Sequence, residues 1–340
     1  MNDARAVAIT TARQVVLAML CVGGEAAAGE YQPPRLHDGH VDLQGIWNLS
    51  NLTPLERPRD FDTLIISPTQ ATQIESWIDS LKRGQPTGGE PDGFDDERYV
   101  ERIHGELHSS VIVDPRDGII PGNDLFKRKA AQFRKRFLAA DGPEERPPPE
   151  RCLSSPGTTP PMQAIVSLNL HEIIQTPDIV VIHSEWNRDA RIIRMNAKHA
   201  PSTIVSWLGD SIGWWDKDTL VVETTYFTPT GHTRTSPLVL FFVSPQTVVT
   251  ERFTRASNEE LIYGFTVVDP TYYTAAWTGE NHLNRAAGPI LEYACHEGNY
   301  SLAGILRGAR VQDAQDAAPP RPPISDYTKR PPSARSRQEQ

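Results

Sequence analysis

Leu261-Ile262-Tyr263-Gly264-Phe265-Thr266 is the stretch on which the fold turns. Leu261, Tyr263 and Phe265 are large and apolar, while the residues between them are smaller or more polar. Successive side chains of a strand point to opposite sides, so this period of two gives one buried face and one wetter face. Working outward, segments rich in Val, Ile, Thr, Tyr and Phe recur over His171–Thr176, Asp178–Ser184, Ala190–Met195, Thr203–Leu208 and Thr219–Tyr226, then over Leu238–Val243, Thr247–Arg255, Glu260–Asp269 and Tyr273–Glu280. Turn residues separate them: Thr176-Pro177-Asp178, Asp216-Lys217-Asp218, Ser257-Asn258-Glu259 and Asp269-Pro270. No helical crossover lies between them, so the expectation is a mainly β domain over 151–310. It would be an antiparallel meander closing into a barrel, with a sandwich as the other closure.

Before that domain, residues 29–150 read as a helix- and loop-rich extension packed on it. Ser67-Pro68 supplies a cap and a first-turn proline, and Ile74, Trp77, Ile78 and Leu81 follow at helical spacing. Gly84–Asp96 reads as a loop and Val111–Val113 as a short strand. A second helix is expected over Asp124–Ala140, with Leu125, Ala130, Phe133 and Phe137 along one side. Its basic side would meet solvent or an anionic partner. Asp141–Glu150 reads as a Pro-rich linker and 311–340 as a disordered tail.

Residues 1–28 have the pattern of a secretory signal: Arg5 and Arg13, then the apolar run Val15–Val22, then Ala26-Ala27-Ala28. The run is far shorter than the ~20 residues a membrane span needs. Of three cysteines, Cys21 falls in that segment, leaving Cys152 and Cys295. An even pair in an exported chain argues for a disulfide rather than a catalytic thiolate. Secreted or periplasmic localisation follows as an expectation. The net charge of −9 lacks the basic footprint of a nucleic-acid-binding protein, so none is expected as a partner.

Several motifs bear a resemblance. Leu43-Gln44-Gly45-Ile46-Trp47, Trp207-Leu208-Gly209-Asp210-Ser211, Asp218-Thr219-Leu220-Val221-Val222-Glu223-Thr224-Thr225 and Tyr293-Ala294-Cys295-His296-Glu297-Gly298-Asn299-Tyr300 stand out. In these the chain resembles a family of exported bacterial proteins to which no reaction is assigned. Sequences of that kind often carry His before the residue corresponding to Asp189, where this chain has Arg188. The Gly45-Ile46-Trp47 entry is also similar to the opening of lipocalin-type barrels.

Candidate chemistry gathers in three places. In Cys295-His296-Glu297, His296 suits proton transfer near neutral pH; packing beside the disulfide is the plainer reading. Asp189 and Arg191 would share a strand face, with His183 and Glu185 just upstream. Asp189 and Arg191 would bind a carboxylate or carbonyl, or act as a general base with a charge stabiliser; the plainer reading is a structural ion pair at a hairpin. Trp207, Trp214 and Trp215, with Tyr263 and Trp277, would wall a ligand pocket or fill a core. Gly209-Asp210-Ser211-Ile212-Gly213 is only a partial echo of a nucleophile elbow. His104 and His108 stand at helical spacing, but no metal-binding motif occurs and neither metal nor cofactor is expected.

The functional expectation is a secreted β-barrel enzyme acting on a small, partly apolar organic molecule by acid–base chemistry, as an isomerase, lyase, cyclase or hydrolase. Its catalytic groups would come from His296, Asp189, His183 and Arg191. The alternatives are a non-catalytic lipocalin-like carrier of an apolar ligand and an envelope interaction protein.

Overall fold

In the computed structural model the period-two stretches close into a barrel. The structure describes residues 31–82, 99–136, 139–165, 169–228, 233–236 and 239–315. The expected signal segment, the Gly84–Asp96 loop, Phe137 and the tail beyond 315 lie outside the described residues. The chain from Pro33 onward forms one unit, and Met1–Gln32 forms another of which only Tyr31 and Gln32 are described.

In chain order, β1 (Gly45–Asn48) precedes α1 (Pro68–Lys82), the small hairpin β2 (Arg102–Ile103) and β3 (Glu106–Leu107), β4 (Ile112–Asp114) and α2 (Asp124–Arg136). Then come β5 (Leu170–Gln175), β6 (Ile179–Ser184), β7 (Ala190–Met195), β8 (Asp210–Asp216) and β9 (Thr219–Thr225). They are followed by β10 (Thr233–Ser236), β11 (Val239–Phe242), β12 (Val248–Arg255), β13 (Glu260–Val268), β14 (Trp277–Arg285) and α3 (Tyr300–Gln315). The barrel runs β1-β5-β6-β7-β8-β9-β12-β13-β14 and closes where β14 pairs back onto β1. β14 shares its outer edge: Asp114 and Ile112 of β4 take its beginning, and Trp47 and Asn48 of β1 take its end. β10 and β11 form a hairpin of their own.

Four expectations need correcting. The barrel is mixed rather than wholly antiparallel, because β7 and β8 run parallel. The chain makes that crossover without a helix, over residues 196–209. The strand expected over Thr203–Leu208 lies inside the crossover, where Ile204 and Val205 are exposed and only Ser206 forms a bridge. β14 begins later than expected, since Asp269 O accepts the N–H groups of both Tyr272 and Tyr273 and holds them in a turn. Finally, the segment from Tyr300 is helical: Asn299 Oδ1 accepts Leu302 N–H at 3.4 Å, and Leu302, Leu306 and Ala309 form its less exposed stripe.

The opening stretch behaves as read. Leu261, Tyr263 and Phe265 are buried on the inner face of β13, beside Val249 and Phe253 of β12 and Trp277 and Leu283 of β14. Trp47 seals the seam between β14 and β1. Its indole N–H donates to Leu43 O at 2.9 Å, and the guanidinium groups of Arg255 and Arg285 lie 5.7 and 5.2 Å from its ring centre. Gly45 has φ +136°, and a Cβ there would come within 2.9 Å of the Arg285 guanidinium, so the glycine admits the arginine.

The extension packs as a second layer around Leu52, Phe61, Ile74, Ile78 and Leu107. The Ser67 cap is reciprocal: Gln70 N–H donates to Ser67 Oγ at 3.3 Å, and Ser67 N–H donates to Gln70 Oε1 at 2.9 Å. The Pro-rich linker adopts two 3-10 turns, Pro143–Glu145 and Pro148–Arg151. Cys152 and Cys295 form a disulfide across 143 residues of sequence. Among the described residues no helix is long and apolar enough to cross a membrane.

Candidate functional site

The inner faces are not uniformly apolar. Alternation aims His171 of β5, Ser184 of β6, Arg191 of β7, Glu251 of β12, Tyr263 of β13 and Asn281 of β14 into the barrel, and all are buried. Arg191 Nη1 donates to Glu251 Oε2 at 2.5 Å, spanning from β7 to β12 across two intervening strands. The Tyr263 hydroxyl donates to Glu251 Oε1 at 2.7 Å and accepts the Met162 N–H at 2.8 Å. Met162 belongs to Ser154–Gln163, a wholly buried run that ties into the barrel interior at this point. His171 bridges Ser184 Oγ at 2.9 Å and Asn169 Oδ1 at 3.0 Å.

The Arg191 side chain is 3% exposed and that of Glu251 fully buried. Two charges held this deep cost several kcal/mol each in lost hydration, recovered only when their polar atoms find partners. Glu251 has partners on both oxygens. Arg191 does not: its Nε and Nη2 have no hydrogen-bond partner. These two nitrogens form the side edge of the guanidinium, whose parallel N–H groups make a two-pronged donor. Asn281, the cross-strand neighbour of Tyr263, accepts Asn51 Nδ2–H at its Oδ1 over 2.8 Å but leaves its own Nδ2 unpaired. Trp277 Nε1 is also unpaired. Among the described residues, every unsatisfied side-chain atom on the inner faces of the barrel is a donor.

Burial, reinforced by the nearby Arg191 charge, pushes His171 down to about 3, so its imidazole is neutral at ordinary pH. Burial, then the Glu251 charge, raises the Tyr263 phenol well above its usual value and keeps its proton on. Around this point of the interior, among the described residues, Arg191 is the cation and Glu251 the anion opposite it, with neutral hydrogen-bonding groups beside them.

The residues expected from sequence do not share one site. Arg191, Tyr263 and Trp277 lie inside. His183 sits on the outer face of β6, 3.5 Å from Glu172 Oε2. Asp189 precedes β7 rather than lying within it, and accepts the Thr158 hydroxyl at 3.1 Å; burial raises its pKa against that bond. It and Arg191 thus take different partners. His296 is exposed in a turn over 295–298 rather than in a strand, away from the buried Arg191. Trp214 points outward, Trp207 lies in the crossover, and Trp215 stacks on His40 at 4.9 Å. His104 lies in the turn of the β2–β3 hairpin and His108 just after it, and no helix exists there. Among the described residues no group of three or more His, Cys, Asp or Glu is placed to hold a metal ion.

Sequence reasoning missed Glu251 and His171. Both occupy inward positions of strands that were expected, so the alternation that marked Tyr263 also marked them.

A second ionic cluster lies on the outer face. His199, in the crossover, places Nδ1 2.7 Å from Asp210 Oδ2 and Nε2 3.1 Å from Glu223 Oε1. Asp210 also takes both contacts of Arg194 Nη2, at 2.8 and 2.9 Å, and the Ala200 N–H at 3.0 Å. Burial raises its carboxyl, but the bonds from Ala200 and His199 and the Arg194 charge outweigh that and hold it below the usual range.

No family model matches the chain, and no curated protein matches it in sequence.

Proposed function

We propose that this protein is an exported β-barrel enzyme that acts on a small, partly apolar organic molecule by acid–base chemistry, with its site inside the barrel at Arg191, Glu251 and Tyr263. The observation that carries the reading is the Arg191 guanidinium, buried and paired on one side only. A purely structural ion pair gains nothing from leaving two donors without a protein partner, whereas a binding site needs donors that a ligand will satisfy. In the reaction, the free edge of Arg191 stabilises negative charge developing on a substrate oxygen. The hydrogen-bonded Glu251 and Tyr263 take up and return the proton. Phe253, Phe265 and Trp277 supply the apolar surround. Export is supported by the Cys152–Cys295 disulfide together with the signal-like residues 1–28.

A carrier of apolar ligands is the second reading. The buried ion pair argues against it, since an apolar occupant would leave the Arg191 donors unsatisfied, each costing about 1–3 kcal/mol. The test is incubation of wild-type and Tyr263→Phe protein with a small-molecule extract, followed by mass spectrometry. The expected result is a compound consumed by wild type and retained unchanged by the variant. A compound bound and returned intact by both proteins would select the carrier.

A further inference from the structure

Resting on that reading of the interior, we infer that the group anchored by Arg191 is an uncharged oxygen acceptor, the carbonyl of a ketone, ester, lactone or amide, and not a carboxylate or phosphate. A free guanidinium edge ordinarily invites an anion, because its two N–H groups match two anionic oxygens. Here the charge is already spent. Glu251 Oε2 lies 2.5 Å from Arg191 Nη1, and both side chains are cut off from water. An added carboxylate would leave the pair one negative charge in excess, facing Glu251 in a medium that screens poorly. Among the described residues no second cation of the inner faces pairs with them: His171 is neutral there, and Arg255 and Arg285 lie against Trp47, donating to Asp42 O and Gln44 O.

A neutral carbonyl avoids that excess. Its oxygen carries two lone pairs and can receive Nε–H and Nη2–H together. The remaining unpaired groups agree, for Asn281 Nδ2 and Trp277 Nε1 also donate. The interior is thus short of acceptors but not of negative charge, which suits an oxygenated, uncharged molecule. Such a molecule is also compatible with the aromatic surround, where Phe265 lies 5.6 Å from Trp277 and 5.7 Å from Tyr263, ring centre to ring centre.

The test reads the guanidinium directly. In protein labelled with 15N-arginine, the Arg191 Nε–H signal is assigned by its loss in Arg191→Lys, which keeps a cation opposite Glu251 but removes the fork. Acetophenone, methyl benzoate, benzamide, benzoate and phenyl phosphate are then titrated at pH 7.5. The neutral carbonyl probes are expected to move the Arg191 signal saturably and to bind at least about tenfold more tightly than benzoate, a gap of ~1.4 kcal/mol. Benzoate or phenyl phosphate binding as tightly as the neutral probes would overturn the inference, and so would the absence of any probe that moves the signal. Should Arg191→Lys fail to fold, assignment by selective Nε exchange in the wild type keeps the same readout. Tyr263→Phe separates the two claims: lost turnover with an unchanged Nε–H response upholds both. Carbonyl binding that spares the Arg191 signal sinks this inference while leaving an enzyme in place.

Discussion

Two ionic clusters, one inside the barrel and one on its outer face, are built from the same kinds of residue and end differently. Outside, His199 has a carboxylate at each ring nitrogen, and Asp210 has three partners. That cluster fastens the crossover 196–209 to β8 and β9, which permits the parallel β7–β8 pairing without a helix. Inside, Arg191 is more deeply buried than His199 yet leaves its stronger donor edge unused. Burial alone therefore does not distinguish a clamp from a site. What distinguishes these two clusters is whether the partners run out, and of the two they run out only in the inner one.

The comparison breaks most readily at Arg191. Arg191→Met removes one member of a buried pair and leaves the Glu251 carboxylate uncompensated, so unfolding in urea at pH 7.5 is expected to lose about 3–5 kcal/mol. Arg191→Met with Glu251→Leu together should recover much of that loss, because both desolvation costs vanish. A double variant no better than the single one would mean that the pair is not the unit.

The disulfide comes next. Cys152→Ser with Cys295→Ser frees a loop spanning 143 residues of sequence, and by the chain-entropy account the loss is about 4–5 kcal/mol at most, with 2–4 typical. Cys152 lies two residues before the buried run Ser154–Gln163, which delivers Met162 N–H to Tyr263. Hydrogen exchange at Met162 is therefore expected to quicken in the double serine variant. An unchanged rate would show that the run is held by the barrel alone.

The architecture was legible in sequence because alternation is local. β7 was readable to the residue, and the buried face of β13 was marked by Leu261, Tyr263 and Phe265. The parallel register was not legible, since β-branched Ile204 and Val205 look like strand residues and only tertiary pairing exposes them on the crossover. At the site, Arg191 was legible as an ionisable group in an apolar strand. Glu251 was less legible because Thr250-Glu251-Arg252 resembles a solvated strand face, and only the neighbouring Val249 and Phe253 put it on the inner side. His296 stands out in sequence through its neighbour Cys295, and the structure places it exposed in a turn beside the disulfide.

The histidines sharpen the comparison through pH. His171 is held down to about 3, and His108 and His282 to about 4, in each case first by burial. The last two lie between the barrel and the β2–β3 hairpin, where His282 Nδ1 comes within 2.6 Å of Glu260 Oε1 and 4.0 Å of Glu101 Oε1 without hydrogen-bond alignment. The folded state keeps these rings neutral while the unfolded chain protonates them near 6.5. Stability is therefore full above about 6.5 and falls as pH drops toward about 4, with His171 alone costing about 2 kcal/mol at pH 5. His171→Gln should flatten that fall in a series of urea midpoints from pH 7 to 4.5, and an unchanged slope would mean that the ring is wetter than its burial implies.

The smallest effect belongs to the outer cluster. Asp210→Asn keeps the acceptor for Ala200 N–H but removes the charge facing Arg194, whose side chain is 39% exposed. A partly exposed pair of this kind is worth about 0.2–1 kcal/mol and is screened by salt. Raising the salt from 0.05 to about 0.5 M should shrink the Asp210→Asn effect toward zero, since the Debye length contracts from roughly 14 to 4 Å. The Arg191→Met effect should hardly change, because ions do not enter the barrel wall. Equal salt sensitivity at the two places would mean that water and ions reach Arg191 in the resting protein. The unpaired edge would then be a solvated one, and the distinction between clamp and site would have to rest on something other than burial and missing partners.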